Sequence, residues 1–227
     1  MTRLAVSGAS GKTGWRVVQE ALARGFQVRA LLRPDAVAPE GLAGAEIVRL
    51  DLNDAPALRQ ALEGCQALVI ATGARPSPDP LGPMKVDALT VRAQIAACKE
   101  TGVDRVVLVS SLCSGRWIHP LNLFWLVLVW KGVGERWLQD SGLRWTVVRP
   151  GGLKDTEEGL EGEGVLYTGP NQQESKSIPR RLVARVCLEA LETPAAEGRI
   201  IEITSRQGQP QQSLAQWLAA HPQPKTA

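Results

Sequence analysis

The sequence predicts an α/β fold in which helices cover both faces of a doubly wound parallel sheet. Short apolar runs rich in β-branched residues alternate with amphipathic segments along most of the 227-residue chain. Such runs are typical of parallel strands buried on both faces, and right-handed crossovers place the intervening helices on the two sides. The length suits one large domain better than two small ones, because a small domain buries a smaller fraction of its surface.

Strands and helices are predicted in alternation. The first strand, 4–7, is followed by a helix over 12–24 that ends at Gly25, since glycine commonly ends a helix. The other strands are predicted at 26–32, 46–50, 67–71, 105–110, 144–149 and 200–204. The other helices are predicted at 55–62, 87–101, 123–139 and 179–191.

The domain organisation follows from where this alternation stops. Residues 1–204 are predicted to form one domain, within which residues 151–177 are rich in glycine, glutamate and other polar residues. We expect this polar insert on the substrate side, as a small C-terminal substrate region. Residues 205–227 form a tail rich in glutamine and proline, with a short helix expected near Trp217.

Composition and charge disfavour several classes of protein. The net charge is +3 without a long block of like charge, so no nucleic-acid partner is expected. The longest apolar run, 121–130, is too short to span a bilayer of about 30 Å, so no integral membrane segment is expected. The four cysteines form no C-x-x-C pair, which predicts buried, reduced thiols and no metal site. With no signal-peptide pattern before the first strand, a cytoplasmic location is expected.

A glycine-rich loop connects the first predicted strand to the first helix. Gly8, Gly11 and Gly14 have the spacing G-x-x-G-x-x-G. A diphosphate at a helix N-terminus needs backbone N–H groups with no side chain in the way, and glycines allow this approach. The loop therefore predicts nucleotide binding by a Rossmann-like fold, the alternative being a turn without a ligand. The predicted contacts are Gly8, Ser10, Gly11, Lys12, Thr13 and Gly14.

Arg33 bears on which nucleotide is bound. It follows the second strand, where NAD-binding folds carry a carboxylate for the ribose hydroxyls. An arginine there can pair with a 2′-phosphate through two hydrogen bonds. NADP is therefore favoured over NAD, while Asp35, two residues later, keeps NAD as the alternative.

Further candidate contacts stand where the other strands end, because ligands of doubly wound sheets bind at the carboxyl ends of the strands. Asp51 and Leu52 follow the third strand and are expected near the adenine. Ala71, Thr72 and Gly73 end the fourth strand and are expected on the nicotinamide side. The fifth and sixth strands end at three further candidates, Ser110, Pro150 and Gly151.

Together these motifs resemble the atypical short-chain dehydrogenase/reductases with an NAD(P)-binding, NmrA-like domain. The resemblance covers about residues 2–204. It is carried by the 8–14 loop, Arg33, Asp51-Leu52, Val109-Ser110-Ser111 and Val148-Arg149-Pro150-Gly151-Gly152. That family includes flavin/biliverdin-IXβ reductases, plant and cyanobacterial NAD(P)-binding proteins, and regulatory proteins that bind the cofactor without turning it over.

The resemblance also has consequences for the chemistry. Typical short-chain reductases use a Tyr-x-x-x-Lys pair, in which tyrosine donates the proton. Lys131 matches the lysine, but Val127 stands at the tyrosine position, and the single tyrosine, Tyr167, lies in the polar insert. Flavin/biliverdin-IXβ reductases lack that tyrosine and present the hydride directly to a planar acceptor, and Ser111 matches their active-site serine. The resemblance therefore implies Ser111 and Lys131 as catalytic candidates, with Lys131 also on the cofactor ribose.

Two functions remain open from the sequence. The first is NADPH-dependent reduction of a small planar acceptor such as a flavin, a quinone or a linear tetrapyrrole such as biliverdin. The second is a non-catalytic NADP(H)-binding sensor or assembly factor. The aromatic-rich segment 117–130 is expected to stack on a flat ligand or to contact a protein or membrane surface, the alternative being core packing. A sugar-nucleotide epimerase is disfavoured, because Val127 cannot transfer a proton.

Overall fold

The computed structural model describes residues 2–75, 77–157 and 159–222. The strands in these ranges are β1 Arg3–Ser7, β2 Gln27–Leu32, β3 Glu46–Arg49, β4 Ala67–Ile70, β5 Arg105–Val109, β6 Arg144–Pro150, β7 Gly152–Lys154, β8 Glu163–Thr168, β9 Ser177–Pro179 and β10 Arg199–Gln207. The α-helices are α1 Gly14–Ala23, α2 Ala55–Leu62, α3 Thr90–Thr101, α4 Val127–Gln139, α5 Arg180–Glu192 and α6 Leu214–Ala220. None of these helices is long and apolar enough to cross a bilayer.

Eight of the strands form the central sheet, in the order β3-β2-β1-β4-β5-β6-β10-β8. All neighbours pair in parallel except β8, which pairs antiparallel with β10 at the edge. The strand order reverses between β1 and β4, so a topological switch point lies where these two strands end. The predicted doubly wound α/β fold is confirmed.

Two apolar layers hold helices against the sheet. On one face α1, α5 and α6 bury side chains such as Val17, Val183 and Trp217 against the strands. On the other face α2 and α3 bury Leu58 and Ile95, and the end of α4 packs on the same layer. Coverage on both faces explains why the central strands read as continuous apolar runs rather than as alternating ones.

The start of α4 differs from its prediction. The helix begins at Val127 rather than at residue 123, because Trp125 and Leu126 both have left-handed backbones with φ of 58°. Asn122 stabilises this turn: its amide nitrogen donates to the carbonyl oxygens of Arg116 and Trp117, at 2.7 and 2.9 Å, and its oxygen accepts from Leu128 N at 3.1 Å. Apolar periodicity continued through 123–126, and nothing local in the sequence marked the turn.

The polar insert contains more regular structure than its composition indicated. It includes β7 and β8, and β9 begins at its last residue. Strands β7 and β9 pair in parallel as a separate small sheet. Strand β10 continues to Gln207 because β8 pairs with its last residues, so the boundary placed after residue 204 falls inside a strand. The short helix expected near Trp217 is α6, and residues 223–227 of the predicted tail lie outside the described residues.

Candidate cofactor and substrate site

A cleft of about 1160 Å³ lies where β1, β4, β5 and β6 end. Parallel pairing brings the carboxyl ends of these strands to one edge of the sheet, so residues far apart in the chain meet there. Most of the residues predicted from the sequence line this cleft. They are Gly11, Lys12, Thr13, Ala71, Thr72, Gly73, Ser110, Ser111, Lys131, Pro150 and Gly151.

The glycine-rich loop has the geometry that phosphate binding requires. Gly8 has φ of +71°, and a Cβ there would come to 2.7 Å from the carbonyl oxygen of Ala71. A Cβ at Gly14 would overlap the carbonyl oxygen of Gly8, while Gly11 N closes the turn by donating to that oxygen at 2.8 Å. Trp15 N donates to Gly11 O at 3.1 Å, and no side chain caps α1, so no side chain competes with an anion at the start of this helix.

Two further observations fit a nicotinamide nucleotide in the cleft. Among the described residues, Thr72 Oγ1 is a buried polar atom without a hydrogen-bond partner, and it lies on the cleft wall. Gly73 has open space beside it, since a Cβ there would meet only Lys131 Nζ at 3.8 Å and Asp87 Oδ1 at 3.9 Å. At Gly151 the glycine is required by the protein itself, because a Cβ there would overlap the carbonyl oxygen of Lys176.

Arg33, Asp51 and Leu52 lie beyond the cleft, just after β2 and β3, on the same edge of the sheet. Arg33 is exposed. The loop that carries it is held by Arg49, whose Nη1 donates to the carbonyl oxygens of Pro34 at 3.2 Å and Ala36 at 2.6 Å. An exposed arginine on a fixed loop can reach the 2′-phosphate of a nucleotide whose diphosphate lies on α1.

An acidic strap, defined here as residues 152–157, lies against the phosphate loop. Asp155 accepts from Lys12 Nζ and from Arg180 Nε, the latter at 2.7 Å, and Arg180 also reaches Thr13 Oγ1 at 3.4 Å. The hydrogen bonds from Lys12 and Arg180 lower the pKa of Asp155 to about 2. Glu157 forms similar ion pairs with Arg16 and Arg181.

Lys131 is held in the cleft, beside Gly73, by a buried carboxylate. Its Nζ donates to Asp87 Oδ1 at 2.7 Å, and Asp87 also accepts from Ala74 N at 3.4 Å. Asp87 belongs to a π-helical segment, Met84–Leu89, that precedes α3, whereas the sequence predicted an ordinary helix from residue 87. Lysine has three N–H donors, so two remain for a ribose or a substrate.

The position of Tyr167 rules it out as the partner of Lys131. Tyr167 lies on β8 at the far edge of the sheet, stacks on Trp217 and donates to Glu189 at 3.4 Å. Burial raises the pKa of its hydroxyl above the usual value. Tyr167 is not among the cleft residues, and Val127 stands one helical turn before Lys131.

Sequence reasoning missed four residues that shape the site: Asp87, Glu135, Asp155 and Arg180. Asp155 contacts Lys12, which is 143 residues away in the chain, and Arg180 contacts Thr13, which is 167 residues away. Of the four, only Arg180 could have been proposed from the sequence, because it stands at the start of a predicted helix. In the structure this start lies beside the glycine-rich loop, where Arg180 contacts Thr13.

The segment 117–126 next to the cleft exposes large apolar side chains. Trp117 is 70% exposed and Ile118 fully so, and Leu123, Phe124 and Trp125 are also exposed. Core packing, the alternative considered from the sequence, is therefore wrong for this segment. His119 and Leu121 of the same segment line the cleft.

Comparison with known proteins agrees with this geometry. A model of the NAD(P)H-binding family matches residues 8–194. An uncharacterized chloroplastic protein of Arabidopsis thaliana is 37% identical over 95% of this chain and 81% of its own length. Sanguinarine reductase of Eschscholzia californica is 30% identical over 88% of both chains. The photosystem II assembly factor Ycf39 of Cyanophora paradoxa is 33% identical over 63% of this chain and 43% of its own.

Solved structures show the same architecture. A Bacillus halodurans protein of the NAD-dependent epimerase/dehydratase class has a TM-score of 0.84 at 26% identity, covering 97% of this chain and 100% of that one. ChuY, an anaerobilin reductase from Escherichia coli O157:H7, has a TM-score of 0.73 at 25% identity, covering 89% and 96%. A Veillonella parvula short-chain dehydrogenase/reductase in complex with NADP shares the fold, with a TM-score of 0.69 at 14% identity, covering 89% and 94%. On the family match and the Arabidopsis relative, the chain belongs to the NAD(P)H-binding family of Rossmann-like epimerases and reductases.

Proposed function

We propose that the protein is an NADPH-dependent reductase that delivers hydride to a small planar acceptor without a tyrosine acid. The observation that carries the proposal is the pairing of Lys131 with Asp87 beside Gly73, in a cleft whose described lining includes no tyrosine. The names of two relatives, a sanguinarine reductase and an anaerobilin reductase, support a reductase. A flavin, a quinone or a linear tetrapyrrole fits the proposal.

Each part of the site has a defined task in this proposal. The N–H groups at the start of α1 hold the diphosphate, and Arg33 pairs with the 2′-phosphate, which favours NADP over NAD. The bound cofactor supplies the hydride. Ser111, on the cleft wall, hydrogen-bonds the acceptor. Lys131, oriented by Asp87, directs its two remaining N–H donors at the ribose or at the acceptor oxygen that gains charge.

Because the described cleft lining includes no tyrosine, the proton that completes the reduction comes from solvent. A conjugated planar acceptor can spread the charge that arrives with the hydride, so proton transfer need not be simultaneous. His119 and Leu121 line the cleft, and Leu121 is exposed to solvent. Water therefore reaches the acceptor, and Lys131 stabilises the charge until a proton arrives.

Steady-state oxidation of NADPH, followed at 340 nm against a panel of flavins, quinones and bilins, tests this function. We expect turnover with at least one acceptor, and a loss of roughly a hundredfold in kcat/KM for Lys131→Ala. Tyr167→Phe is the matched control, because this hydroxyl lies outside the cleft, and its activity should stay within about twofold of wild type. No turnover with any acceptor contradicts the proposal.

A second candidate function is a non-catalytic NADP(H)-binding assembly factor. The observation that favours it is the exposed apolar segment 117–126, since contiguous exposed apolar surface is typical of interaction sites. One relative carries the name of a photosystem II assembly factor. A double variant, Leu123→Ser with Phe124→Ser, separates the candidates: an assembly factor loses a co-purifying partner and keeps its affinity for NADPH, whereas a reductase changes at most its acceptor KM.

A further inference from the structure

Ser110 lies at the junction between the sheet and the cleft. It follows β5 directly, and its backbone N–H continues the sheet by donating to Val148 O at 2.8 Å. The side chain is 8% exposed and lines the cleft. The sheet therefore holds its backbone in place. Whether the hydroxyl acts as a donor or an acceptor toward the cleft depends on the direction of its hydrogen.

A buried carboxylate decides that direction. Glu135 on α4 is 1% exposed, and its Oε1 accepts the hydroxyl hydrogen of Ser110. Arg149 holds the same carboxylate, with Nε at 3.1 Å from Oε1 and Nη2 at 2.6 Å from Oε2. A carboxylate paired with a guanidinium is ionised and offers only lone pairs, so the hydrogen between Ser110 and Glu135 belongs to the serine.

Arg149 is itself held by Glu202 and Asn171. Arg149 Nη1 lies 3.5 Å from Glu202 Oε1 and donates to Asn171 Oδ1 at 3.3 Å. Glu202 is fully buried and accepts from the backbone N–H groups of Asn171, Gln172 and Gln173 at 2.8–3.0 Å. These contacts hold Arg149 in place, and Arg149 in turn holds the Glu135 carboxylate in its position next to Ser110.

We propose that Glu135 is a positioning residue that fixes the Ser110 hydroxyl as a hydrogen-bond acceptor, so that the cleft selects a ligand presenting an N–H donor. With its hydrogen directed at Glu135, Ser110 Oγ offers only lone pairs to the cleft. The other possible acceptor of that hydrogen, Ser114 Oγ, is 3.5 Å from Ser110 Oγ and is too distant to compete with Glu135.

Two sources of such a donor fit the site: the carboxamide N–H of the nicotinamide, and a ring N–H of the planar acceptor. The first source needs only the family's cofactor binding, whereas the second rests on the proposed function. An amide or imide N–H is a strong donor, and its loss leaves a serine oxygen without a partner on ligand binding.

Glu135→Gln is the decisive variant, because it reverses the polarity of Ser110 in a side chain of the same shape. The glutamine oxygen takes the position of Oε2, which lies 2.6 Å from Arg149 Nη2 and 3.2 Å from Arg149 Nε. Its NH₂ then takes the position of Oε1 and donates to Ser110 Oγ. The serine hydrogen then turns to the cleft, and Ser110 becomes a donor. Ser110→Ala removes the contact altogether, and Ser114→Ala is the matched control, since Ser114 does not line this cleft.

The first arm measures binding of NADP⁺ and of its 3-acetylpyridine analogue, in which a methyl group replaces the carboxamide NH₂. If the carboxamide is the donor, wild type and Ser114→Ala prefer NADP⁺ by roughly three- to tenfold in Kd. In Ser110→Ala and Glu135→Gln this preference falls to about one or reverses. Thermal unfolding shows whether each variant is folded. If Glu135→Gln does not fold, Ser110→Ala alone tests whether the preference for NADP⁺ depends on Ser110.

The second arm measures binding of riboflavin and 3-methylriboflavin to the NADP⁺-saturated protein, which tests a ring N–H in the same way. Discrimination that depends on Ser110 in the first arm assigns the donor to the cofactor, and in the second arm to the acceptor. No Ser110-dependent discrimination in either arm overturns the proposal. A protein that passes the first arm but never oxidises NADPH refutes the proposed reductase and leaves this inference standing.

Discussion

The phosphate loop is built mainly from contacts between its own glycines. Gly11 and Gly14 lie against the carbonyl group of Gly8, and Gly8 lies against Ala71 at the end of β4, the neighbour of β1 in the sheet. The spacing of the glycines alone predicted this loop. Lys131 was identified from the family resemblance, but its partner Asp87 was not predicted, since 44 residues separate them. Glu135 was missed for the same reason: a glutamate in mid-helix reads as solvent-exposed unless its buried partner is known.

Arg33 gives a prediction at the scale of one side chain. Arg33→Ala removes the cation proposed to pair with the 2′-phosphate, so its Kd for NADPH should rise roughly 10- to 100-fold, with little change for NADH. Fluorescence titration with both cofactors measures the effect. Arg59→Ala is the control, because Arg59 is a partly exposed arginine that pairs with Glu100 on the α2–α3 side. Equal losses for the two cofactors would remove the 2′-phosphate assignment.

The acidic strap gives a prediction at the scale of an element. In the ligand-free chain Asp155 occupies Lys12 and Arg180 beside the phosphate loop, so a bound phosphate competes with this carboxylate. Asp155→Asn should therefore lower the Kd for NADPH by roughly two- to fivefold, as expected for exposed ion pairs. Glu161→Gln removes the same charge just beyond the strap and serves as the control. Weaker binding by Asp155→Asn would show that the carboxylate assists the cofactor instead.

The pH dependence of the strap follows from the lowered pKa of Asp155. A lowered pKa means that the contact is fully present above the ordinary value of 3.8 and is lost as the pH falls through about 2. Between pH 5 and 8 Asp155 therefore stays charged, and the difference between wild type and Asp155→Asn should not change with pH. A difference that fades toward pH 5 would assign the effect to another group.

Asn122 gives a second prediction at the scale of an element. It joins the turn at 116–117 to the start of α4 with three hydrogen bonds. Asn122→Ala should lower the free energy of unfolding by about 1–3 kcal/mol. Asn122→Asp keeps the oxygen that accepts from Leu128 N but turns a charged oxygen toward the carbonyl oxygens of Arg116 and Trp117, so it should be no more stable than alanine in denaturant unfolding. Equal stability of all three would mean that the turn forms without this side chain.

At the scale of the whole molecule, the sequence predicted the part of the sheet that is buried on both faces. Strands β1, β2, β4, β5 and β6 read as apolar runs because helices cover them, whereas the edge strand β3 is mostly exposed. Alternation with helices gave their parallel pairing. Strand β8 was not predicted, because it is an antiparallel edge strand held by pairing with the end of β10, which lies in a polar stretch. Strands β7 and β9 are three residues each, too short for a periodic signal.

Cofactor binding should stabilise the whole molecule, since the site joins elements from most of the chain. The cleft takes residues from the phosphate loop, from the ends of β4, β5 and β6, from α4 and from the start of α5, and an unfolded chain cannot assemble them. A ligand at 100 times its Kd adds about 2.7 kcal/mol to the free energy of unfolding. For a chain of this size that raises Tm by roughly 5–10 °C. At equal concentration NADP⁺ should shift Tm further than NAD⁺, and Arg33→Ala should remove most of that difference. A thermal shift for NADP⁺ no larger than for NAD⁺ in the wild-type protein would contradict the assigned cofactor preference.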